Sequence, residues 1–588
     1  MLSIIKEGLR ITKKQNCRWK EACINRKLKY NMDDFSVLIG GKAGFGIDKS
    51  GIIIGRILNQ LGRRIYIYRD YPSLIRGGHT FSIIRSSQER ISTHKNKVDI
   101  ILALNQDTFN FHKERLQDNS VVIFDSDSVK LEGLNPKVQV LGIPITSIIK
   151  AENAPEIMRN TCIIGAFVKA VRIKWEILES VFKKEFTRET DLNFKVARRG
   201  YEEAREAVKM VSLLQEPLPL LTGNQAVGLG LIKGGLNAFL AYPMTPTSPV
   251  LHFLAEVAGD FGLKVIHPES EIGVILMALG FSYMGKKVAV GTSGGGFCLM
   301  AEGVSFSGMA ELPLVVVLGQ RPGPSTGLPT YSAQTELHFA LNAGQGEFAR
   351  FIVAPGDTQE AYFWSAQALN LSWKYQIPSV ILTDKNLGEG VFNFDQSSVP
   401  EIKEVTPGLW DRESSYKRYR DSESGVSALA FVPDKDAVIK VNSYEHDEYG
   451  ITTEDTQQST FMQNKRLRKE KYLQEELEKF ETVKVYGNKD SSMGLLCWGS
   501  NKGVCIEAAQ NLGLKVIQPL VLWPFPVKKF QAALSGVKRL ICVEDNAQGQ
   551  LARLIKTFNF KVDNQILKYD GRPFSLGELE EKIKGIIK

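Results

Sequence analysis

Cysteine is scarce in this sequence and shows no metal-binding or redox spacing. The 588 residues include seven cysteines, an odd number, and no two of them form a Cys-x-x-Cys pair. This pattern excludes a disulfide-stapled scaffold and predicts no metal or iron–sulfur site held by this chain alone. We expect reduced thiols, as in a cytoplasmic protein.

Long apolar runs are also missing. The longest strongly apolar stretch covers residues 272–284, which is well short of the roughly 20 residues that a membrane-spanning helix requires. The basic amino terminus lacks the unbroken apolar segment of a signal peptide. The sequence therefore predicts no membrane partner.

An excess of positive charge is confined to the amino terminus. Residues 1–31 contain nine lysines and arginines and two glutamates, so +7 of the formal net charge of +9 lies there. The nearly neutral remainder argues against a nucleic-acid partner. The basic segment fits an amphipathic targeting sequence, a nucleic-acid arm or an over-extended start before Met32, and we favour the last.

The rest of the sequence has an ordinary globular composition, with 43% hydrophobic and 24% charged residues, and this excludes a disordered chain. Strand and helix patterns alternate along most of it, which indicates a multidomain α/β protein. We predict a basic extension over residues 1–31, an α/β domain over 32–211, a second over 212–400, a charged linker with a solvated helix over 401–487 and a third α/β domain over 488–588.

The first α/β domain opens with a predicted strand, a glycine loop and a helix. The glycines of the loop are Gly40, Gly41, Gly44 and Gly46. They match neither a dinucleotide-binding nor a P-loop motif, so they either approach a cofactor or only permit a tight turn. Further along, Arg76 and His79 frame an RGGH segment. It either lines a crevice or serves to anchor a loop.

The second domain places polar side chains after predicted strands, where open parallel sheets bind their ligands. Thr245 follows one strand, and Arg321 follows another. The guanidinium of Arg321 is suited to bind a carboxylate, although it could also anchor a loop. A polar, glycine-rich segment follows, typical of a substrate lid, and its central residues are Ser325, Thr326 and Gly327.

Glu271 stands at the start of an apolar helix. An acidic residue in a first helical turn can serve only the helix dipole. Because apolar residues follow it directly, its carboxyl group could instead share a proton with a ligand nitrogen.

Four adjoining stretches together resemble a known family. They are AYPMTPTS (241–248), PESEIGVILMALG (268–280), TSGGGFCLMAEG (292–303) and GQRPGPSTGLPT (319–330). They resemble the alpha subunit of 2-oxoacid:ferredoxin oxidoreductases of the 2-oxoglutarate type. GGKAGFGIDKSG (40–51) and RGGH resemble the gamma subunit of the same enzymes, fused in front.

The resemblance implies a gamma-type α/β domain, a pyrimidine-binding-type domain and a transketolase C-terminal-like domain. Glu271 would hydrogen-bond the aminopyrimidine of thiamine diphosphate, and Thr245 and Arg321 would bind the 2-oxoacid carboxylate. Coenzyme A would bind in the vicinity of the gamma-type domain, where the matching residues are Gly41, Gly44, Gly46 and Arg76.

The sequence lacks a Gly-Asp-Gly motif followed by an asparagine. In the family that it resembles, Mg²⁺ and a [4Fe-4S] cluster belong to a separate beta subunit. We therefore expect an αβ or (αβ)₂ hetero-oligomer that oxidatively decarboxylates 2-oxoglutarate to succinyl-CoA and reduces ferredoxin. Alternatives are a pyruvate or branched-chain 2-oxoacid enzyme, another kind of thiamine enzyme, and a non-catalytic scaffold with a nucleic-acid arm.

Overall fold

The computed structural model describes residues 33–73 and 77–587. The predicted basic extension and Arg76 lie outside the described residues. Three β-sheets with flanking helices confirm the predicted α/β class. No helix among the described residues is both long enough and apolar enough to cross a membrane.

The first sheet is formed mainly by residues of the predicted gamma-type domain. Its strands here are β1 (Asp34–Lys42), β2 (Arg64–Asp70), β3 (His79–Ser87), β4 (Val98–Ala103), β5 (Leu116–Asp125) and β6 (Gln139–Ile143). The helices are α1 (Ile47–Gln60), α2 (Gln106–His112), α3 (Ile145–Ala151), α4 (Arg159–Ala170), α5 (Trp175–Glu185) and α6 (Thr190–Glu203). β1 pairs with β4 in parallel and with β3 antiparallel. The prediction of a loop beginning at Gly40 is wrong, because Gly40 and Gly41 continue β1 and pair with Phe81 and Thr80.

The second sheet carries the strand ends of the predicted pyrimidine-binding-type domain. Strands in this part of the chain are β7 (Leu220–Thr222), β8 (Ala238–Ala241), β9 (Lys264–Ile266), β10 (Val288–Ser293), β11 (Leu314–Gln320), β12 (Phe351–Val353), β13 (Pro378–Asp384) and β14 (Val391–Asn393). Helices are α7 (Gly223–Lys233), α8 (Ser248–Phe261), α9 (Glu271–Tyr283), α10 (Gly294–Ala310), α11 (Leu337–Asn342), α12 (Thr358–Tyr375) and α13 (Lys385–Glu389). The neighbouring strands β12, β13, β11, β10, β8 and β9 are all parallel, so their carboxyl ends share one edge.

The third sheet lies in the carboxyl-terminal part of the chain. Its surroundings comprise α14 (Thr456–Leu477), β15 (Val483–Gly487), β16 (Met493–Leu496), α15 (Asn501–Leu512), β17 (Lys515–Pro519), β18 (Val521–Trp523), α16 (Val527–Ala533), β19 (Arg539–Glu544), α17 (Gln550–Lys556), β20 (Asn564–Leu567) and α18 (Leu576–Ile587). The sheet order is β15-β17-β16-β19-β20.

Short strands cross between the three parts. β14 pairs with both β2 and β7, so two strands of the second part extend the first sheet. β18 likewise joins the edge of the second sheet beside β12. These pairings help to hold residues 33–588 together as one compact unit. The domain boundaries proposed from the sequence stay predictions.

The charged linker is folded against the second sheet, which corrects the expectation that its helix is solvated. Lys465 and Lys469 of α14 are 0% and 1% exposed. Both ammonium groups bind Glu311 at the end of α10, with Lys465 Nζ 2.8 Å from each carboxylate oxygen. Burial would raise the pKa of Glu311, but the two lysines outweigh it and hold that pKa well below its usual range. The single carboxylate thus stabilises both buried ammonium groups.

We expect Glu311→Gln to destabilise the protein by about 3–5 kcal/mol, because it leaves two buried ammonium groups without a carboxylate. The urea concentration at half-unfolding measures the loss. The matched control is Asp118→Asn, which removes the exposed ion pair with Lys137 and should leave the midpoint unchanged. Equal midpoints for both variants would contradict the role assigned to Glu311.

Candidate functional site

Four adjacent strands of the second sheet deliver the predicted site residues to one edge. Thr245 follows β8, Glu271 follows β9, the glycines 294–296 follow β10 and Arg321 follows β11. The order β11-β10-β8-β9 makes these strands direct neighbours. Parallel pairing therefore brings together residues that are up to 76 positions apart in the sequence.

Glu271 is the first residue of α9 and is only 4% exposed. Ser270 caps this helix by accepting a hydrogen bond from Gly273 N at 3.4 Å. Glu271 is thus not needed as the cap. Its Oε1 atom is buried and has no hydrogen-bond partner. A buried carboxyl oxygen without a partner is costly unless a ligand supplies one.

Glycine at position 296 makes room for that carboxyl group. A Cβ built on Gly296 would lie 2.6 Å from Glu271 Oε1 and even closer to Thr292 Oγ1. Any side chain here would have to displace one of these groups. The triple glycine therefore lets Glu271 pack directly against the first turn of α10.

Arg321 and Thr245 lie together at this edge, and a shared ligand stays a prediction. Arg321 is 8% exposed, and its Nη1 donates a hydrogen bond to Thr245 O at 3.1 Å. Its Nε is buried and has no partner. In the part of the chain that the structure describes, no carboxylate forms an ion pair with Arg321. The guanidinium group is therefore available to an anion.

A cavity of about 540 Å³ opens beside Arg321. Ser325 and Thr326 of the predicted lid line it, whereas Gly327 is not among its lining residues. Gly327 serves the turn instead: its φ is +54°, and a Cβ there would collide with Pro322 O. Residues 323–328 of the predicted lid segment are exposed.

Glu336 lines the same cavity and was not predicted from the sequence. The residue is 8% exposed, its Oε1 accepts a hydrogen bond from Thr335 Oγ1 at 2.9 Å, and its Oε2 is buried without a partner. Burial raises the pKa of Glu336 to about 7, against the opposing effects of Thr335 and Arg321. Its position before an apolar helix is also that of an ordinary acidic residue at a helix start, so the sequence offered no distinctive signal.

The carboxyl-terminal part positions the segment that carries Glu336. Gln550 Nε2 donates to Thr335 O at 2.8 Å, and Asn546 Nδ2 donates to Gln334 O at 3.0 Å. Asn546 Oδ1 also accepts a hydrogen bond at 2.7 Å from the N of Gly549, the residue just before α17. Asn546 therefore joins the start of α17 to the segment that carries Glu336.

Of the predicted gamma-type glycines, which lie far from these residues in the sequence, Gly41 belongs to β1, and Gly44 and Gly46 lie in the turn that follows it. Gly44 and Gly46 have φ angles of +97° and +67°, which favour glycine. A Cβ on Gly41 or Gly46 would meet Ile47 Cδ1 at 2.9 Å or Asn160 Nδ2 at 2.8 Å, respectively. A role near coenzyme A stays a prediction for Gly41, Gly44 and Gly46.

The imidazole of the RGGH segment is paired. His79 Nε2 lies 2.8 Å from His112 Nε2, so one ring donates and the other accepts. Burial lowers the pKa of both histidines. Among the described residues, no group of three His, Cys, Asp or Glu side chains is arranged to hold a metal ion.

Two regions of this chain match known protein families. Residues 36–203 match the family described as "Pyruvate ferredoxin/flavodoxin oxidoreductase". Residues 229–466 match "Pyruvate flavodoxin/ferredoxin oxidoreductase, thiamine diP-bdg".

Individual relatives agree with these matches. A 2-oxoacid:ferredoxin oxidoreductase subunit alpha from Sulfolobus sp is 30% identical over 94% of this chain and 97% of its own length. The 2-oxoglutarate synthase subunit KorA of Methanocaldococcus jannaschii is 29% identical over 62% of this chain and 99% of its own.

One solved structure is similar over nearly the whole chain. The 2-oxoglutarate:ferredoxin oxidoreductase from Magnetococcus marinus, with 2-oxoglutarate, coenzyme A and succinyl-CoA bound, superposes with a TM-score of 0.86. It is 28% identical, and the match covers 95% of this chain and 100% of that chain.

The fold and the matched region define a subunit of a thiamine diphosphate-dependent oxidoreductase. The chain belongs to the 2-oxoacid:ferredoxin oxidoreductase alpha-subunit family. The resemblance and the enzyme class predicted from the sequence are confirmed.

We expect Gly296→Ala to lower the turnover of the assembled enzyme about 100-fold, because misplacing a reacting group by about 1 Å can cost that much. The added methyl group would push on Glu271 and Thr292. The control is Gly259→Ala on α8, where nothing lies within 4 Å of the new Cβ, and its turnover should stay within two-fold of wild type, because a residue on an exposed helix face is normally tolerant. Full turnover of Gly296→Ala would show that Glu271 needs no such clearance.

Proposed function

We propose that this chain and a separate beta subunit convert 2-oxoglutarate and coenzyme A to succinyl-CoA and CO₂ while reducing ferredoxin. The observation that carries the proposal is the pair of unsatisfied polar groups at one sheet edge, Glu271 Oε1 and Arg321 Nε. One is suited to a cofactor nitrogen and the other to a substrate carboxylate.

Two relatives support 2-oxoglutarate as the substrate. The Magnetococcus marinus enzyme has 2-oxoglutarate and succinyl-CoA bound, and the Methanocaldococcus jannaschii relative is a 2-oxoglutarate synthase subunit. Pyruvate and branched-chain 2-oxoacids carry the same carboxylate beside the keto group, so Arg321 would bind all of them. The residues around the substrate side chain would decide among them.

The residues at the edge of the second sheet fit thiamine diphosphate. Glu271 would hold or give a proton at Oε1, where a pyrimidine nitrogen could meet it. When bound, thiamine diphosphate supplies the electron sink that makes loss of CO₂ from a 2-oxoacid possible. The apolar residues around α9 exclude water from the carboxyl group, which strengthens the hydrogen bond that it makes.

Arg321 and Thr245 would orient the substrate. The guanidinium group is fixed by its hydrogen bond to Thr245 O, so its remaining donors are aimed before the acid arrives. A preorganised clamp of this kind lowers the entropic cost of binding. Ser325 and Thr326 would then cover the bound acid as part of a lid.

An exposed apolar face next to Glu271 fits the beta subunit. Ile272, Leu276 and Leu299 are each about half exposed. They line a groove of about 680 Å³ between α9 and α10. Contiguous exposed apolar patches are typical of protein interfaces. Since Ile272 follows Glu271 directly, docking here would place the partner, and the Mg²⁺ and [4Fe-4S] cluster expected on it, beside the cofactor.

The gamma-type part would contribute to coenzyme A binding. Its strand-to-helix turn at Gly44 and Gly46 presents backbone without a side chain, and nothing lies within 4 Å of a Cβ built on Gly44. Such an open turn lets a ligand approach the main chain closely.

The co-expressed complex tests the proposal with a panel of 2-oxoacids. We expect coenzyme A-dependent reduction of a low-potential dye, with the highest kcat/KM for 2-oxoglutarate. A preference of at least about ten-fold over pyruvate corresponds to about 1.4 kcal/mol of differential binding. A higher kcat/KM for another 2-oxoacid would show that this acid, and not 2-oxoglutarate, is the substrate. No activity with any of them would overturn the proposed function.

Two variants separate the proposed cofactor contact from the substrate contact. We expect Glu271→Gln to lower kcat about 100-fold or more, because proton transfer by a positioned side chain contributes at least that factor. Arg321→Ala should instead raise the KM for the acid about 10- to 100-fold, the value of a lost hydrogen bond to a charged group. Size-exclusion chromatography checks that both complexes assemble. Full turnover of Glu271→Gln would refute its role.

A further inference from the structure

The carboxyl group of Glu336 and the guanidinium group of Arg321 face one cavity without pairing. Arg321 Nη1 donates only to a carbonyl, Thr245 O. None of the described carboxylates forms an ion pair with it. The charge of Arg321 is thus left without an ion pair, although a carboxyl group lines the same cavity.

The protein fixes Glu336 in place from several sides. Its backbone N donates to Gln320 Oε1 at 3.2 Å, and its Oε1 accepts from Thr335 Oγ1 at 2.9 Å. A Cβ on Gly294 would lie 2.5 Å from the same Oε1, so the carboxyl group packs against the start of α10. Gln550 anchors Thr335 from the carboxyl-terminal part. These contacts hold the group beside Arg321.

The charge of Glu336 should change near neutral pH. Its Oε2 is buried with no partner, and burial without a compensating hydrogen bond disfavours the charged form of a carboxyl group. Burial raises the pKa of Glu336 to about 7, although Thr335 and Arg321 lower it. Below that pH the group is neutral and leaves the charge of Arg321 to a ligand. Above it, the anion offsets Arg321 and repels the carboxylate of the acid.

We propose that Glu336 is a positioning residue that acts through Arg321: the 2-oxoacid binds with full affinity while Glu336 is neutral and more weakly once it is ionised. The inference rests on the proposed function, because it assigns Arg321 to the substrate carboxylate. It adds that the affinity for the substrate depends on the charge of a second buried group, Glu336. The value of kcat should not depend on that charge.

Other titratable groups lie on the elements packed around Glu336. Cys298 on α10 lines the same cavity, and Glu271 lies on the far side of the triple glycine. His338, on the first turn of α11, has its Nε2 2.9 Å from Gln550 O. A pH-dependence test needs a histidine control, and His338 is the residue substituted for it.

Steady-state kinetics of the complex with its beta subunit at pH 6 and pH 8 tests the proposal. The KM of wild type for 2-oxoglutarate should rise about ten-fold between the two, because the competent fraction falls by that factor. Glu336→Gln keeps a neutral side chain of the same shape, so its KM should stay near the low value at both pH values. His338→Gln should keep the wild-type rise.

The outcomes distinguish failure of the role proposed for Glu336 from failure of the proposed 2-oxoacid oxidoreductase function. A ten-fold rise that persists in Glu336→Gln, or that disappears in His338→Gln, overturns the role of Glu336 while the proposed function stands. Absence of turnover with any 2-oxoacid at either pH overturns both.

A second measurement does not depend on turnover. Infrared difference spectra of the wild-type full chain between pH 6 and pH 8 should show loss of the C=O stretch of a protonated carboxylic acid, and the same difference in Glu336→Gln should lack that band. If Glu336→Gln does not fold, Glu336→Met supplies the neutral comparison. An unchanged band in the variant would show that Glu336 is not the group that titrates, and would overturn the inference.

Discussion

The first turn of α10 can hold two carboxyl groups against its backbone because it consists of three glycines. Glu336 approaches it at Gly294, and Glu271 approaches it at Gly296. Each carboxyl group is buried and keeps one oxygen without a partner. Leaving such atoms unsatisfied costs about 1–3 kcal/mol each, so the fold gives up stability here in order to keep two carboxyl groups buried. Sites that sacrifice stability in this way are typically functional.

The two carboxyl groups lie on opposite sides of that turn and fit different tasks. Glu271 opens α9 beside an exposed apolar face, where a partner subunit would complete the proposed cofactor site. Glu336 shares its cavity with Arg321 and the lid, where the acid would bind. The carboxyl-terminal part supplies none of the proposed site side chains, yet Gln550 and Asn546 hold the segment that carries Glu336. The second part thus supplies the proposed site residues, and the carboxyl-terminal part contacts the segment that carries Glu336. The first part is joined to the second through shared strands.

The sequence predicted the strand ends well because that signal is local. Thr245, Glu271 and Arg321 each follow a recognisable apolar strand, and parallel pairing alone brings them to one edge. Long-range contacts left no comparable trace. Lys465 lies 154 residues from Glu311. Because the sequence does not show this pairing, the helix that carries Lys465 was wrongly predicted to be solvated. Glu336 owes its surroundings to Gly294 and Arg321, which precede it, and to Gln550, which follows 214 positions later in the chain.

A structure of the assembled complex with thiamine diphosphate bound tests the central claim most directly, because the claim concerns where the Glu271 carboxyl group points. We predict that Oε1 of Glu271 lies about 2.6–3.2 Å from a nitrogen of the aminopyrimidine ring, the range of a hydrogen bond that transfers a proton. A carboxyl group that faces bulk water, with the ring held elsewhere, would contradict the account.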